Sequence, residues 1–192
     1  MSVNARTRRS LWDRKRAPAR GDNRLLTADR PIRQSSIRAD YPIMTRPLSL
    51  RLHPDPILRD ICHPVEQFDS WLADVLDEML TLMQVHDGIG LAGPQVGITQ
   101  RLFVAGIQGH SVCLVNPVIT TRSGLDRMTE GCLSLPGIHV DVQRDWRIEV
   151  QGHDAQGRKQ SHRVDGLWAR VMQHEIDHLN GVLIYDKVHK GI

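Results

Sequence analysis

The stretch QHEIDHLNG, residues 173–181, places two histidines and a glutamate in the order H-E-x-x-H. On an α-helix, residues four apart lie on one face, so the imidazoles of His174 and His178 can bind the same divalent metal ion. Glu175 lies beside them, where it can accept a proton from water without being a ligand itself. The same order also occurs by chance on exposed polar helices. Here much of the rest of the helix is apolar, namely Trp168, Val171, Met172, Ile176 and Leu179. Buried imidazoles and carboxylates need partners or a metal ion, so the pattern favours a metal site.

Two histidines are too few for such a site, and the third ligand must come from upstream. The extended protease pattern H-E-x-x-H-x-x-G-x-x-H requires a histidine where this chain has Ile184, and no glutamate follows His178. One candidate is Cys132, which we expect in a loop before a strand, because a thiolate is a strong ligand for a soft or borderline cation. His139 is a weaker candidate and is expected to be a surface or substrate-contacting residue. Cys62 and Cys113 are expected to be small core residues.

Two long helices are predicted, one on each side of a strand-rich region. The segment FDSWLADVLDEMLTLMQVHDG repeats apolar residues at steps of three and four, with Asp69 or Ser70 as its cap and Gly88 at its end. The segment LWARVMQHEIDHLNG forms the second helix, after Asp165 and before Gly181. A short helix is expected around residues 56–62.

The region between the helices begins with GIGLAGPQVGI, which is predicted to be a glycine-rich loop. Five segments then have the composition of strands separated by turns, namely RLFVAGI, SVCLVNPVIT, HVDVQR, WRIEVQGHD and KQSHRVDG. This order predicts an α+β fold, in which mostly antiparallel β-sheets wrap around a C-terminal metal-binding helix that carries H-E-x-x-H.

Charge divides the chain into two parts. Residues 1–46 contain 12 basic and 4 acidic side chains, a net charge of +8, whereas residues 47–192 contain 13 basic and 18 acidic ones, a net charge of −5. We therefore expect a basic, disordered extension over residues 1–46 and a single catalytic domain over residues 47–192. The three cysteines are too few and too scattered for a disulfide framework and favour a reducing compartment.

The extension has three competing interpretations. An Arg-rich composition is typical of an organelle transit peptide, although its four aspartates count against this. A basic arm can also contact nucleic acid or the ribosome. Alternatively, translation truly begins at Met44. The extension lacks the apolar segment of a secretory signal, and no run in the chain reaches the length of a membrane span.

Three motifs in order give the chain a resemblance to the peptide deformylases. That family carries G-x-G-L-A-A-x-Q, E-G-C-L-S and Q-H-E-x-D-H-L-x-G. The corresponding stretches here are GIGLAGPQ (88–95), EGCLS (130–134) and QHEIDHLNG (173–181). Gly93 replaces the usual second alanine of the first motif, and the resemblance covers about residues 48–188.

The resemblance implies a role for particular residues. Cys132, His174 and His178 would hold one divalent metal, and Glu175 would move the proton of the attacking water. The side-chain amide of Gln95 and the backbone N–H of Leu133 would donate to the oxyanion. The carbonyl of Gly90 would accept the formamide N–H. Nearby apolar residues could form a methionine pocket, and these are Ile89, Leu167 and Val171.

The resemblance also implies the reaction and its setting. The substrate would be the N-formyl-methionine of a newly made polypeptide, and formate would be released. Fe²⁺ would be the natural metal, with Ni²⁺ or Co²⁺ as active substitutes, while a Cys-His₂ site would also bind Zn²⁺ well. We expect a bacterial cytoplasmic enzyme, or one in an organelle matrix if residues 1–43 are a transit peptide. A transient contact with the ribosome is a further expectation, whereas stable nucleic-acid binding and membrane binding are not expected.

Two further points stay open from the residues. Arg144 could pair with Glu130 or with Asp177 and so hold the ligand loop against the helix, or these charges could form ordinary surface pairs. Two other classes of protein compete with the deformylase, a metalloprotease that uses the same helix and a nucleic-acid-binding protein that uses the basic extension. The missing downstream ligand argues against the first, and the acidic domain argues against the second.

A chain that begins at Met44 should keep its melting temperature and its release of formate. All three motifs lie beyond residue 87, and the extension has too little apolar surface to offset the entropy of ordering it. Thermal unfolding and formate assays on the full and shortened chains test this expectation. Recovery of intact extension peptides from the native cell, together with a large loss of activity on truncation, would favour a working arm instead.

Overall fold

The computed structural model describes residues 47–187, so the interpretations of residues 1–46 fall outside the described part of the chain. Over these residues the chain forms two α-helices, seven strands and three short 3₁₀-helices. The α-helices are α1 (Ser70–Val85) and α2 (Gly166–Leu179). The strands are β1 (Gly90–Ala92), β2 (Leu102–Ile107), β3 (His110–Ser123), β4 (Asp126–Cys132), β5 (Leu135–Arg144), β6 (Arg147–His153) and β7 (Lys159–Asp165). The 3₁₀-helices are Pro56–Arg59, Gly93–Val96 and Ile184–Lys187.

The strands form two antiparallel sheets. One has five strands in the order β1-β2-β3-β6-β7, and the other is the β4–β5 hairpin. Every paired neighbour in both sheets is antiparallel. The predicted α+β fold, with mostly antiparallel sheet around the C-terminal helix, is therefore confirmed.

The five-stranded sheet lies between the two helices. Successive side chains of a strand point to opposite faces. In β2, Phe103 and Ala105 belong to the core that contains α2, whereas Leu102 and Val104 belong to the core that contains α1. A strand buried on both faces needs a continuous apolar run, which explains the sequence LFVA at this position.

The apolar stripe of α1 closes one of these cores. Five of its side chains are buried, namely Leu72, Val75, Leu76, Met79 and Met83. Of the two predicted caps, Asp69 is the N-cap, and its side chain accepts a hydrogen bond from the backbone N–H of Leu72 at 3.0 Å. The helix ends at a C-cap on His86, two residues before the predicted stop at Gly88.

Three local predictions differ from the structure. The glycine-rich segment is not wholly a loop, because Gly90–Ala92 pairs with β2 and Gly93–Val96 forms a 3₁₀-helix. The sequence DRMTEGC was not recognised as a strand, since it lacks apolar alternation, yet it forms β4 through pairing with β5. Cys132, predicted in a loop, is the last residue of that strand, and the turn follows at residues 133–134. The short helix expected around residues 56–62 is the 3₁₀-helix Pro56–Arg59.

Within residues 47–187, neither α-helix has the length and apolar character that crossing a membrane requires.

Candidate active site

Three ligand atoms from two elements converge beneath the β4–β5 hairpin. The helix α2 supplies His174 and His178, and the end of β4 supplies Cys132, all of them buried. The Nε2 atom of His178 lies 3.2 Å from the Sγ atom of Cys132 and 3.2 Å from the Nε2 atom of His174. One ligand atom from each residue lies within 4.8 Å of the other two. The structure thus brings together the three residues that the sequence predicted as metal ligands.

Hydrogen bonding decides which imidazole nitrogen of His174 faces the group. Its Nδ1 atom lies 2.9 Å from the Oε2 atom of Glu130, so Nδ1 carries the proton and Nε2 offers a lone pair toward the sulfur. Lone pairs that converge at this distance repel one another unless a cation or a shared proton lies between them. A thiolate and two imidazoles are the donors that divalent zinc, iron or cobalt accept, so the residues fit a divalent metal ion.

The pKa values of the two histidines shift in opposite directions. Burial lowers the pKa of His178 well below its usual range. Burial also acts to lower the pKa of His174, but hydrogen bonds with Cys132 and Glu130 outweigh it and raise that pKa to about 10. Metal binding at such a site releases protons, so the affinity depends on pH.

Glu175 lies next to His174 in the sequence, and its carboxyl group is buried beside the three ligand residues. Its Oε2 atom is buried and has no hydrogen-bond partner among the described residues. Burial raises the pKa of its carboxyl to about 7, although the charges of His174 and Arg144 act to lower it. A carboxyl group that titrates near neutral pH can both accept and return a proton.

A cavity of about 20 Å³ opens beside these residues, which is room for roughly one water molecule. Three of the predicted substrate-contacting residues line it, namely Ile89, Gly90 and Val171. Gln95, Leu133, Cys132, His174 and Glu175 line it as well. Leu167 lies two turns before His174, half-buried, and is not among the described residues that line this cavity. Its place in a methionine pocket stays a prediction.

The carboxamide of Gln95 is held in one orientation. Its Oε1 atom accepts from the backbone N–H of Ala92 at 2.8 Å, and its Nε2 atom donates to the hydroxyl of Ser134 at 3.2 Å and to the sulfur of Cys132 at 3.5 Å. The segment before α1 holds the backbone of Gln95 and of Ser134. The backbone N–H of Arg51 donates to the carbonyl of Gln95, and that of His53 donates to the carbonyl of Ser134. Ser134 was missed by sequence reasoning, although it belongs to the second motif.

A buried ion-pair network surrounds Glu130. The guanidinium of Arg144 donates to both of its carboxylate oxygens, at 2.6 and 2.9 Å, and also to Asp177 at 2.7 Å. Burial opposes ionisation of Glu130, but hydrogen bonds from His174 and Arg144 hold the pKa of its carboxyl well below the usual range. Both predicted partners of Arg144 are therefore real, and the alternative of ordinary surface pairs is wrong for this side chain.

Sequence reasoning also missed Arg170, whose buried side chain reaches the same carboxylate. The available signal was an arginine among the apolar residues Trp168, Ala169, Val171 and Met172, one turn before a predicted ligand. His139, the weaker ligand candidate, is exposed on β5, as expected for a surface residue. Cys62 is buried in the core that contains α2, and Cys113 is half-buried against the core that contains α1, as expected for small core residues.

One buried sulfur and two buried imidazole nitrogens lie together, beside the carboxyl of Glu175 and the oriented amide of Gln95. This combination is typical of a catalytic metal site. The fold and the site are thus typical of a metal-dependent hydrolase.

Comparison with known proteins identifies the family. Residues 47–191 match the model of the polypeptide deformylase family. The peptide deformylase of Rhodopirellula baltica is 41% identical over 147 residues, which are 74% of this chain and 73% of that protein. The crystal structure of peptide deformylase from Thermotoga maritima has a TM-score of 0.73 at 41% identity and covers 74% of this chain and 98% of that one. The structure from Synechococcus elongatus, in complex with actinonin, has a TM-score of 0.72 at 42% identity, with coverages of 77% and 84%. This chain therefore belongs to the polypeptide deformylase family.

The family fixes the reaction. The enzyme is a metal-dependent hydrolase that removes the N-formyl group from the N-terminal formyl-methionine of newly made polypeptides and releases formate. Family membership decides against the metalloprotease, and also against a nucleic-acid-binding protein without enzymatic activity.

Replacing Gly90 by alanine should lower kcat by roughly 10²-fold, the size expected for a displacement of about 1 Å in a catalytic group. A Cβ atom at this position would lie 2.7 Å from Cδ of Glu175 and 2.7 Å from Cγ2 of Val171, so the carboxyl group must shift. Formate release from a formyl-methionyl peptide measures the effect. Gly109→Ala is the control, because nothing lies within 4 Å of its Cβ position, and it should strain only the β2–β3 turn. Unchanged kcat in Gly90→Ala would contradict the idea that this glycine positions Glu175.

Proposed function

We propose that deformylation in this chain uses Cys132, His174 and His178 as the metal ligands and Glu175 as the proton carrier. The observation that carries the proposal is the convergence of three buried ligand atoms within 4.8 Å, next to a buried carboxyl oxygen without a partner. When bound, a divalent cation at such a site lowers the pKa of water and polarises a carbonyl group.

Glu175 moves the proton in both halves of the reaction. Its carboxylate takes a proton from the attacking water, whose oxygen adds to the formyl carbon. The carboxylic acid then returns the proton to the leaving nitrogen as the carbon–nitrogen bond breaks, which yields formate and a free amine. A group with a pKa of about 7 is matched to both steps near neutral pH.

The oxyanion that develops on the formyl oxygen needs donors. The Nε2 group of Gln95 is one, because its carboxamide is oriented by Ala92 and Ser134 and lines the cavity. The backbone N–H of Leu133, in the turn after Cys132, is the other. The N–H of Gln95 that points to the sulfur of Cys132, a long contact at 3.5 Å, is the one that turns to the oxyanion, while the other N–H keeps its bond to Ser134.

The substrate lies against the β1 side of the cavity. The carbonyl of Gly90 accepts the formamide N–H, and Ile89 and Val171 contact the methionine side chain at the cavity wall. Leu167 is the third apolar residue proposed for the methionine pocket. The absence of a side chain on Gly90 is what allows the backbone to approach Glu175 this closely.

Fe²⁺ is the native metal in this proposal, and Ni²⁺ or Co²⁺ can replace it with activity. Zn²⁺ binds as well, because a thiolate with two imidazoles suits it, but the donor set ranks these metals only loosely. The support for Fe²⁺ is the resemblance of the three motifs to those of the deformylases.

The setting of the enzyme follows from its relatives and its charge. Residues 47–192 form the catalytic domain, which the match over residues 47–191 supports, and residues 1–46 are a basic extension. The bacterial relatives support a bacterial cytoplasm, and an organelle matrix is the alternative if residues 1–43 are a transit peptide. The +8 charge of the extension suits a transient contact with ribosomal RNA, where formyl-methionyl peptides emerge.

Cys132→Ser should lose most of its metal, because a hydroxyl is a much weaker ligand than a thiolate. Metal analysis of anaerobically purified protein measures the loss. Cys62→Ser and Cys113→Ser serve as matched controls and should keep full occupancy, since neither sulfur belongs to the ligand group. Glu175→Ala should keep the metal and lose nearly all turnover, which separates the ligands from the base. Full occupancy in Cys132→Ser would overturn the proposed ligand set.

Gln95→Ala should lower kcat by roughly 10²–10³-fold, the usual effect of removing one oxyanion donor. Steady-state kinetics with a formyl-methionyl peptide separate this role from simple binding. A variant with unchanged kcat and a raised KM would show that Gln95 only binds the substrate. Ser134→Ala should have a smaller effect in the same direction, because it leaves the amide in place and removes one of its anchors.

A further inference from the structure

Arg170 is a buried arginine that the deformylation chemistry does not use. It lies on α2, one turn before His174, and only 2% of the residue is exposed. Its guanidinium donates to the Oε1 atom of Glu130 at 2.6 Å and to the carbonyl of Val142 at 3.0 Å. It also donates to the carbonyl and the carboxylate of Asp126, at 3.0 and 2.9 Å. All of these acceptors lie on β4 or β5, so a single side chain joins α2 to both strands of the hairpin.

The hairpin needs such an attachment because it stands apart from the five-stranded sheet. A two-stranded hairpin is at best marginally stable by itself. Its apolar side packs into a cluster with residues from other segments, namely Leu58, Leu183 and Ile184, and the buried members of that cluster include no residue of α2. Polar contacts therefore set where the hairpin lies relative to α2, and with it where Cys132 lies relative to the two histidines.

Arg170 is also linked to His174 through the carboxylate of Glu130. The Oε1 atom of Glu130 accepts from Arg170 and from Nε of Arg144, and the Oε2 atom accepts from Nη2 of Arg144 and faces Nδ1 of His174. Two carboxylate oxygens offer about four acceptor positions, and these four contacts fill them. With Arg170 in place, the carboxylate cannot rotate away from His174 without losing a buried hydrogen bond.

We propose that Arg170 is a positioning residue for the metal centre, which sets the affinity for the metal by holding the Cys132 hairpin and the Glu130–His174 pair against α2. The proposal rests on the proposed ligand set. Arg170 touches neither the metal ligands nor the substrate, and its effect should appear in metal binding. Loss of a partner that orients a ligand typically lowers metal affinity by about 10–100-fold.

Binding of Co²⁺ to the metal-free enzyme tests the proposal. Competition with a chelator gives the Kd, and the absorption band from charge transfer between thiolate and Co²⁺ reports whether Cys132 is bound. We expect Arg170→Met to raise the Kd by about 10–100-fold and to weaken the thiolate band. Arg170→Lys keeps the charge but cannot reach all the acceptors at once, so its Kd should lie between those of Arg170→Met and the wild type.

Two further variants keep the test decisive. Arg147→Met is the matched control, because Arg147 forms an exposed pair with Asp165 beside the start of α2, and it should bind Co²⁺ like the wild type. Asp126→Asn weakens one of the contacts that Arg170 makes with β4 and leaves Glu130 intact. It should raise the Kd by less than Arg170→Met does. If Arg170→Met fails to fold, the Kd of Asp126→Asn still tests the proposal.

The outcomes separate this proposal from the ligand set on which it rests. The positioning role would be overturned if Arg170→Lys and Asp126→Asn both had the wild-type Kd for Co²⁺ and the wild-type thiolate band. It would also be overturned if Arg170→Met melted at a lower temperature but bound Co²⁺ normally. Cys132→Ser serves as the reference in the same titration. If Cys132→Ser loses Co²⁺ and the Arg170 variants do not, only the positioning role fails. If Cys132→Ser binds Co²⁺ with the wild-type Kd and band, the proposed ligands themselves are wrong.

Discussion

The arrangement of the site depends on the hydrogen bonds and ion pairs that the buried carboxylate of Glu130 makes. No part of Glu130 is exposed, and an ionised group without water must be paired and fully hydrogen-bonded. Here Arg144, Arg170 and His174 satisfy it. These partners come from β5 and α2, while Glu130 itself belongs to β4, so the charge can be buried only when all three elements are in place. Removing one partner of such a pair typically costs about 3–5 kcal/mol, because the remaining charge is left uncompensated.

The helix α2 serves two different environments at once. Its apolar residues pack on the five-stranded sheet, and its polar residues face the hairpin and the cavity. Gln173 shows how closely the polar side is satisfied, since its amide donates to Asp145 and Ala169 and accepts from the backbone of Asp145. On this helix, Oε2 of Glu175 and Nδ1 of His178 are buried atoms without a hydrogen-bond partner among the described residues. Buried polar atoms without partners are uncommon, and these two belong to a residue of the possible ligand group and to a residue that lines the cavity.

The segment before α1 contributes to the site without entering it. Arg51 and His53 donate backbone hydrogen bonds to Gln95 and Ser134, which belong to the first and second motifs. Arg59 pairs with Asp186 and donates to the carbonyl of Gly181, and so holds the chain that follows α2. Residues 51–59 therefore make hydrogen bonds to all three motifs, although none of these residues is assigned a role in the reaction.

The sequence alone determined the features that depend on local period and residue type. The turn of the helix places His174 and His178 on one face, apolar repeats marked α1 and most strands, and the three motifs predicted the family and the ligand candidates. Only the tertiary structure decided that Cys132 ends a strand, that Gly90 packs against Glu175, and that Arg170 reaches Glu130. These contacts join residues far apart in the chain, 46 positions for Cys132 and His178 and 40 for Arg170 and Glu130. A periodic pattern reports which face of an element is buried, but which distant side chain meets it depends on how the sheets and helices pack together.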